Sequence, residues 1–196
     1  MATPKRQRIG IWVIAIVMLV GTIGSFAIMV LEGDNAKRDQ EEQNKLLEQY
    51  QKQLEEQQKQ ADELSVTYYP QIKEYQGKPA EFDMNQVGNE VTTTDLKVGD
   101  GAEITDETFY QAYYIGWNPK GKTFDSSFDG EKLKAPIDTS QTSLISGWTE
   151  GVKGMKVGGV REITIPSDKA YGEQGSGDNI PPNTPIKFIV MVIATK

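Results

Sequence analysis

Leu144 to Pro182 reads LISGWTEGVKGMKVGGVREITIPSDKAYGEQGSGDNIPP. Ile145, Trp148, Val152 and Met155 recur at spacings of three, four and three, so they fall on one stripe of a short helix that must face a core. Gly158 and Gly159 are expected to stop that helix. Val160 to Pro166 then reads as a strand, with Ile163 and Ile165 on one face and Glu162 and Thr164 on the other. Beyond it, Ala170-Tyr171-Gly172 and Ile180-Pro181-Pro182 lie on loops that can reach over a hollow from a rigid frame.

The flanking sequence supplies the sheet that this helix needs. Glu90 to Leu96, rich in threonine, reads as a strand closed by the turn Gly99-Asp100-Gly101. Thr108 to Trp117 is a second, with Tyr110, Ala112 and Tyr114 on one face, and Asn118-Pro119-Lys120-Gly121 turns the chain back through Thr123 to Ser127. Leu133 to Thr139 leads into the helix. At the end, Ile186, Phe188, Val190 and Val192 alternate with Lys187, Ile189, Met191 and Ile193 as a terminal strand. Mostly antiparallel strands with one short helix make an α+β domain over residues 89–196.

Composition removes whole classes of chemistry. The chain has 196 residues with no cysteine and no histidine. Thiol nucleophiles, histidine bases, Cys/His zinc sites and disulfides are therefore excluded, and no cofactor is implied. A net charge of -7 argues against nucleic acid, which selects a basic face. Asp125, Ser127, Asp129 and Gly130 imitate the start of a calcium loop, but Pro136 stands where its bidentate glutamate belongs, so no metal is expected there.

Before the domain the chain changes character twice. Lys5, Arg6 and Arg8 precede an uncharged run from Ile9 to Leu31, long enough to span a bilayer as a helix. A cleaved signal peptide is the rival, disfavoured by the length of the run and by its poor cleavage site. The basic cluster keeps residues 1–8 in the cytoplasm and places everything after the span outside. Residues 32–66 follow as a helical stalk, Gln/Glu/Lys/Leu-rich and free of proline. Leu47, Tyr50, Leu54, Gln57, Ala61 and Leu64 form a short heptad seam, which fits a weakly dimerising coiled coil. Glu48 with Lys52, and Glu55 with Lys59, equally support a solvated spacer of roughly 45 Å. Tyr69-Pro70, Gly77 and Pro79 are expected to break the helix, leaving 67–88 as an irregular linker, part of which can pack on the next domain.

Tyr114-Ile115-Gly116, Phe124-Asp125-Ser126-Ser127, Gly147-Trp148, Glu150-Gly151, Met155, Val157-Gly158, Ile165-Pro166, Ala170-Tyr171-Gly172, Ile180-Pro181-Pro182 and Phe188 stand in one order. As an ordered set they resemble the FKBP-type peptidyl-prolyl cis-trans isomerases, over residues 89–196 only. The resemblance implies a twisted antiparallel sheet wrapped around the short helix, with an apolar pocket between them that binds proline. It puts Trp148 at the pocket floor and Tyr114, Phe124 and Phe188 around the walls. Leu144 and Ile145 fall where the family holds substrate through backbone and aliphatic groups. Asp125 is turned toward the pocket, Tyr171 offers its hydroxyl to a substrate carbonyl, Ala170 lies beside it, and Ile180 caps the flap. Implied partners are proline-containing unfolded or flexible polypeptides and macrolides of the type this family binds. The chain departs from the pattern at Leu133 or Ala135, which give a thinner wall, at Ser143, and at Ser176 and Asn179, which make the flap more polar. Altered substrate preference is the expected consequence, and a proline-binding module with little turnover is the alternative.

Such a site needs no nucleophile. Twisting an X-Pro bond breaks amide resonance against a barrier of about 18 to 20 kcal/mol, and the twisted amide is less dipolar than the planar one. Moving it from water into an aromatic cage therefore favours the transition state. Taken singly, each of these aromatics also suits an ordinary core, and Asp125 a turn.

Overall fold

A computed structural model of the protein describes residues 35–196. The span expected over 9–31 lies outside them, and among the described residues no helix is long and apolar enough to cross a membrane. The chain divides into two compact units after Leu54. Helix α1, Asn35–Ile72, begins in the first, where Lys52 and Glu48 pair at 3.1 Å across one turn. In the second unit the pair on this helix is Lys59 with Glu63, at 4.0 Å, rather than Lys59 with Glu55.

The second unit is built on strands β1 (Thr92–Lys97), β2 (Tyr110–Trp117), β3 (Thr123–Ser126), β4 (Phe128–Asp129), β5 (Lys132–Leu133), β6 (Ile137–Asp138), β7 (Val160–Ile165) and β8 (Ile186–Thr195), with helix α2 at Ser146–Val152. The main sheet runs β1-β7-β8-β2-β3, antiparallel throughout, with β6 also on β2. The last strand in sequence is thus the central one. Its two sets of alternating residues enter two different cores, and this is why β8 reads apolar on both faces.

The first core lies under α2. Tyr110, Ala112, Ile163, Ile165, Ile186, Phe188, Val190 and Val192 meet Trp148 and Val152 there. The second lies on the opposite face, where Tyr113, Ile115, Trp117, Ile189, Met191 and Ile193 meet Ile72 and Tyr75. One expectation changes here. The helix expected to break at Tyr69-Pro70 continues to Ile72 with Pro70 inside it. Pro70 and Val66, the residue whose carbonyl loses its helical partner, are both exposed, and Tyr69 and Ile72 hold the turn to the sheet. Part of 67–88 packs on the domain. After a 3-10 turn at Lys73–Tyr75 the chain runs along the domain: Trp117 Nε1 donates to Ala80 O at 3.1 Å, and Phe82 N to Pro119 O at 3.0 Å.

Helix α2 is shorter than its stripe. It ends at Val152, and Gly154 at φ +77° turns the chain, so Ile145 and Met155 flank the helix rather than lie on it. Both still face the first core. Leu133, offered as a thin pocket wall, joins the second core instead, where it pairs with Phe128 and its N–H donates to the buried Ser65 Oγ at 2.8 Å.

Candidate active site

The rings are brought together because β2, β8 and α2 converge on one face of the sheet. Tyr114 and Phe188 come from neighbouring strands, where Tyr114 is paired with Val190 and Gly116 with Phe188. Gly116 makes room for the rings: a Cβ there would stand 2.4 Å from Phe188 Cε1 and 2.8 Å from Phe124 Cζ. Gly147 and Gly151 do the same for the helix, since a Cβ on either would meet Ile165 or Ile163 at 2.2 or 2.3 Å. The tryptophan is lowered onto the sheet by glycines.

Trp148 lies edge-to-face with Tyr114 at 5.4 Å between centroids and with Phe188 at 5.0 Å; Phe124 meets Phe188 at 5.5 Å, the planes perpendicular. Edge-to-face contacts of this kind are a preferred arrangement of aromatic pairs. Trp148, Phe188 and Ile180 are buried, while Tyr114, Phe124, Leu144, Ile145, Ala170 and Tyr171 are half-buried on the same cluster. The floor of the cluster is covered and its rim is partly exposed. A separate crevice of about 160 Å³ backs onto Leu144 and Tyr110.

Asp125 is the polar exception. It is exposed, and its Oδ2 accepts from Tyr114 Oη at 2.6 Å while Oδ1 accepts from Ser126 N at 2.8 Å. Burial, helped by the Asp125 hydrogen bond and charge, pushes the Tyr114 hydroxyl well above its usual range, so it remains a neutral donor. Burial raises the Tyr171 hydroxyl as well, with a smaller contribution from the Asp125 charge. Both phenols keep their protons at neutral pH.

The flap that carries Ile180 is tied down. Ser176 N donates to Ile180 O at 2.7 Å and Asn183 N to Gly172 O at 2.8 Å, closing the loop on itself. Asn118 Nδ2 donates to Asn179 O at 2.7 Å, while Asn118 Oδ1 accepts from Lys120 N and Lys122 N. One buried amide thus fixes both the β2–β3 turn and the flap. On the other side, Lys169 Nζ reaches Glu150 on α2 at 3.0 Å and Glu90 at 3.0 Å, holding the Ala170-Tyr171 loop to the helix.

All ten residues expected to form the site lie in this one region, nine in the hydrophobic cluster and Asp125 bonded to Tyr114 at its edge. Reasoning from sequence missed Asn118, which reads as a turn residue, and Gly116, whose signal was only its place beside Tyr114. It also missed the Tyr110 hydroxyl, which accepts from Trp148 Nε1 at 2.9 Å. Among the described residues no cluster of potential ligands that would hold a metal ion is present.

The sequence is similar to a known family. The model of the family described as FKBP-type peptidyl-prolyl cis-trans isomerase matches residues 100–193. A probable FK506-binding protein of Corynebacterium glutamicum is 37% identical over 116 residues, covering 58% of this chain and 94% of that protein. An FK506-binding protein of Neisseria meningitidis serogroup A is 39% identical over 99 residues, covering 50% of this chain and 90% of its own length. Among solved structures, a peptidyl-prolyl cis-trans isomerase of Pseudomonas syringae is 30% identical, covering 70% of this chain and 95% of that one, with a TM-score of 0.48.

Proposed function

Because the chain belongs to the FKBP-type peptidyl-prolyl cis-trans isomerase family, we propose that it isomerises X-Pro bonds of unfolded or flexible polypeptides outside a membrane, to which residues 9–31 tether it. The observation that carries the site assignment is the meeting of Tyr114, Phe124, Trp148 and Phe188 on one surface with the Asp125 carboxylate at its edge.

In this mechanism the proline ring lies on the Trp148 indole, with Tyr114, Phe124 and Phe188 around it. Water leaves the amide as the ring settles, and the planar, more dipolar amide loses more solvation than the twisted one. The Ile145 N–H and the Tyr171 hydroxyl hold the carbonyls on either side of the twisting bond, so that rotation proceeds between fixed ends. Asp125 accepts a hydrogen bond from the Tyr114 hydroxyl and keeps that ring upright. Leu144, Ala170 and Ile180 extend the apolar wall along the bound chain. A macrolide presenting an equivalent ring and carbonyls would occupy the same surface.

The test is an isomerase assay of the full chain on a proline tetrapeptide, with Phe124→Ala beside it. Turnover above the spontaneous rate is expected, and Phe124→Ala is expected to lower kcat/KM about 100-fold by admitting water to the cage. Near-normal turnover in that variant would refute the desolvation account. A wild-type rate equal to the spontaneous one, with proline peptide still bound, would leave only a binding module.

A further inference from the structure

Tyr110 begins β2 and lies under the floor of the site. Trp148 Nε1–H donates to its Oη at 2.9 Å, with 3% of the tryptophan and 5% of the tyrosine exposed. Tyr110 is itself rigidly held. Its N–H donates to Thr139 Oγ1 at 2.9 Å, its carbonyl accepts from Thr139 N at 3.1 Å, and its backbone pairs with Thr195 of β8.

Edge-to-face contacts with Tyr114 and Phe188 limit where the indole can go, but they are apolar contacts that tolerate some rotation of the ring. A directed hydrogen bond at the indole N–H does not tolerate it. We propose that Tyr110 is a positioning residue for isomerisation: its hydroxyl fixes the roll of the Trp148 ring, so that the indole presents a flat, dry face to the proline. This rests on the isomerase reading of the site. Without the phenol oxygen, the buried N–H has to seek another acceptor, and turning toward water tilts the floor under the twisting amide. Burial holds the Tyr110 hydroxyl at about 12, against the opposing pull of the Trp148 bond, so the phenol stays neutral at any assay pH.

The same strand contains its own control. Tyr113 points into the other core, is fully buried, and its hydroxyl has no hydrogen-bond partner. Tyr110→Phe and Tyr113→Phe remove the same atom from the same strand, and only the first touches Trp148. In the full chain, Tyr110→Phe is expected to lower kcat on a proline tetrapeptide about tenfold while KM changes less than about twofold, because ring placement matters most in the twisted state. In proton–nitrogen NMR spectra the Trp148 indole resonance should shift upfield and exchange faster. Tyr113→Phe should leave turnover and that resonance unchanged. An unmoved Trp148 resonance in Tyr110→Phe, a kcat within about twofold of the parent, or an equal loss in Tyr113→Phe would each overturn the proposal. If the parent chain does not turn over substrate, the proposed function fails on its own account, and the resonance still decides whether Tyr110 holds the ring.

Discussion

Ile72→Ala asks whether the end of α1 belongs to the core of the isomerase domain. Ile72 is fully buried against the sheet face formed by Tyr113, Ile115, Ile189 and Met191. The substitution removes three carbons, at about 0.8 kcal/mol of transfer free energy each, or about 2.4 kcal/mol. The cavity left in a rigid sheet adds about another 1 kcal/mol, giving about 3 to 4 kcal/mol in all. For a domain of this size each kcal/mol moves Tm by about 3 °C, so a fall of about 10 °C is expected. Val66→Ala is the control: it lies on the same helix, 78% exposed, and should change stability by less than about 0.5 kcal/mol. Thermal unfolding followed by near-ultraviolet circular dichroism reads the aromatic cores, and far-ultraviolet ellipticity reads the helix. The two signals should fall together at the lowered temperature. A shift indistinguishable from that of Val66→Ala, or a helix that melts in a separate step while the aromatic signal stays put, would refute the reasoning.

Ser65→Ala leaves the Leu133 N–H buried without its acceptor and should cost about 1 to 3 kcal/mol, seen as a lower denaturant midpoint; an unchanged midpoint would show that the N–H finds water. Gly116→Ala places a Cβ 2.4 Å from the Phe188 ring and should cost about 1 to 3 kcal/mol of stability together with turnover, so a variant normal in both would contradict the packing described. Alkali should unfold the domain through Tyr110 and Tyr113, whose hydroxyls are raised by burial from 10.0 to about 12. The folded state holds these protons more tightly than the unfolded chain. The stabilisation is therefore complete below pH 10 and is lost as pH climbs through about 12, and full phenolate absorbance in a still-folded chain near pH 10 would refute it.

The face of the sheet that carries the site was legible because its signals are local. Ile163 and Ile165, or Phe188 and Val190, alternate within one strand, and the ring residues stand in an order that few sequences share. The helix α2 stripe overran because Val152 and Met155 keep a helical spacing across a turn that Gly154 makes, and burial of Met155 does not require it to be helical. The opposite face was not legible in the same way. Tyr113, Ile115, Ile189 and Met191 announce a buried surface but not what buries it, and the covering segment looks like a spacer ended by Pro70. Propensity places the break correctly for an isolated helix. Docking of Tyr69 and Ile72 overrides it, a tertiary effect that no local pattern encodes.

The heptad seam changes meaning on the same grounds. Leu47, Tyr50, Leu54, Gln57, Ala61 and Leu64 read as one surface for a second copy of the chain. Ala61 is buried and Leu64 packs beside Tyr68 and Tyr69 on the second core, so this end of the seam already faces the chain's own sheet. A partner helix cannot take the same side of those residues. What remains is Leu47, Tyr50 and Leu54, with Leu47 45% and Leu54 40% exposed, barely two turns of apolar contact. Paired helices need several heptads before association offsets the entropy of ordering them. Over Ala61 and Leu64, the spacing that resembles a dimer contact is thus the mark of a helix built into its own domain.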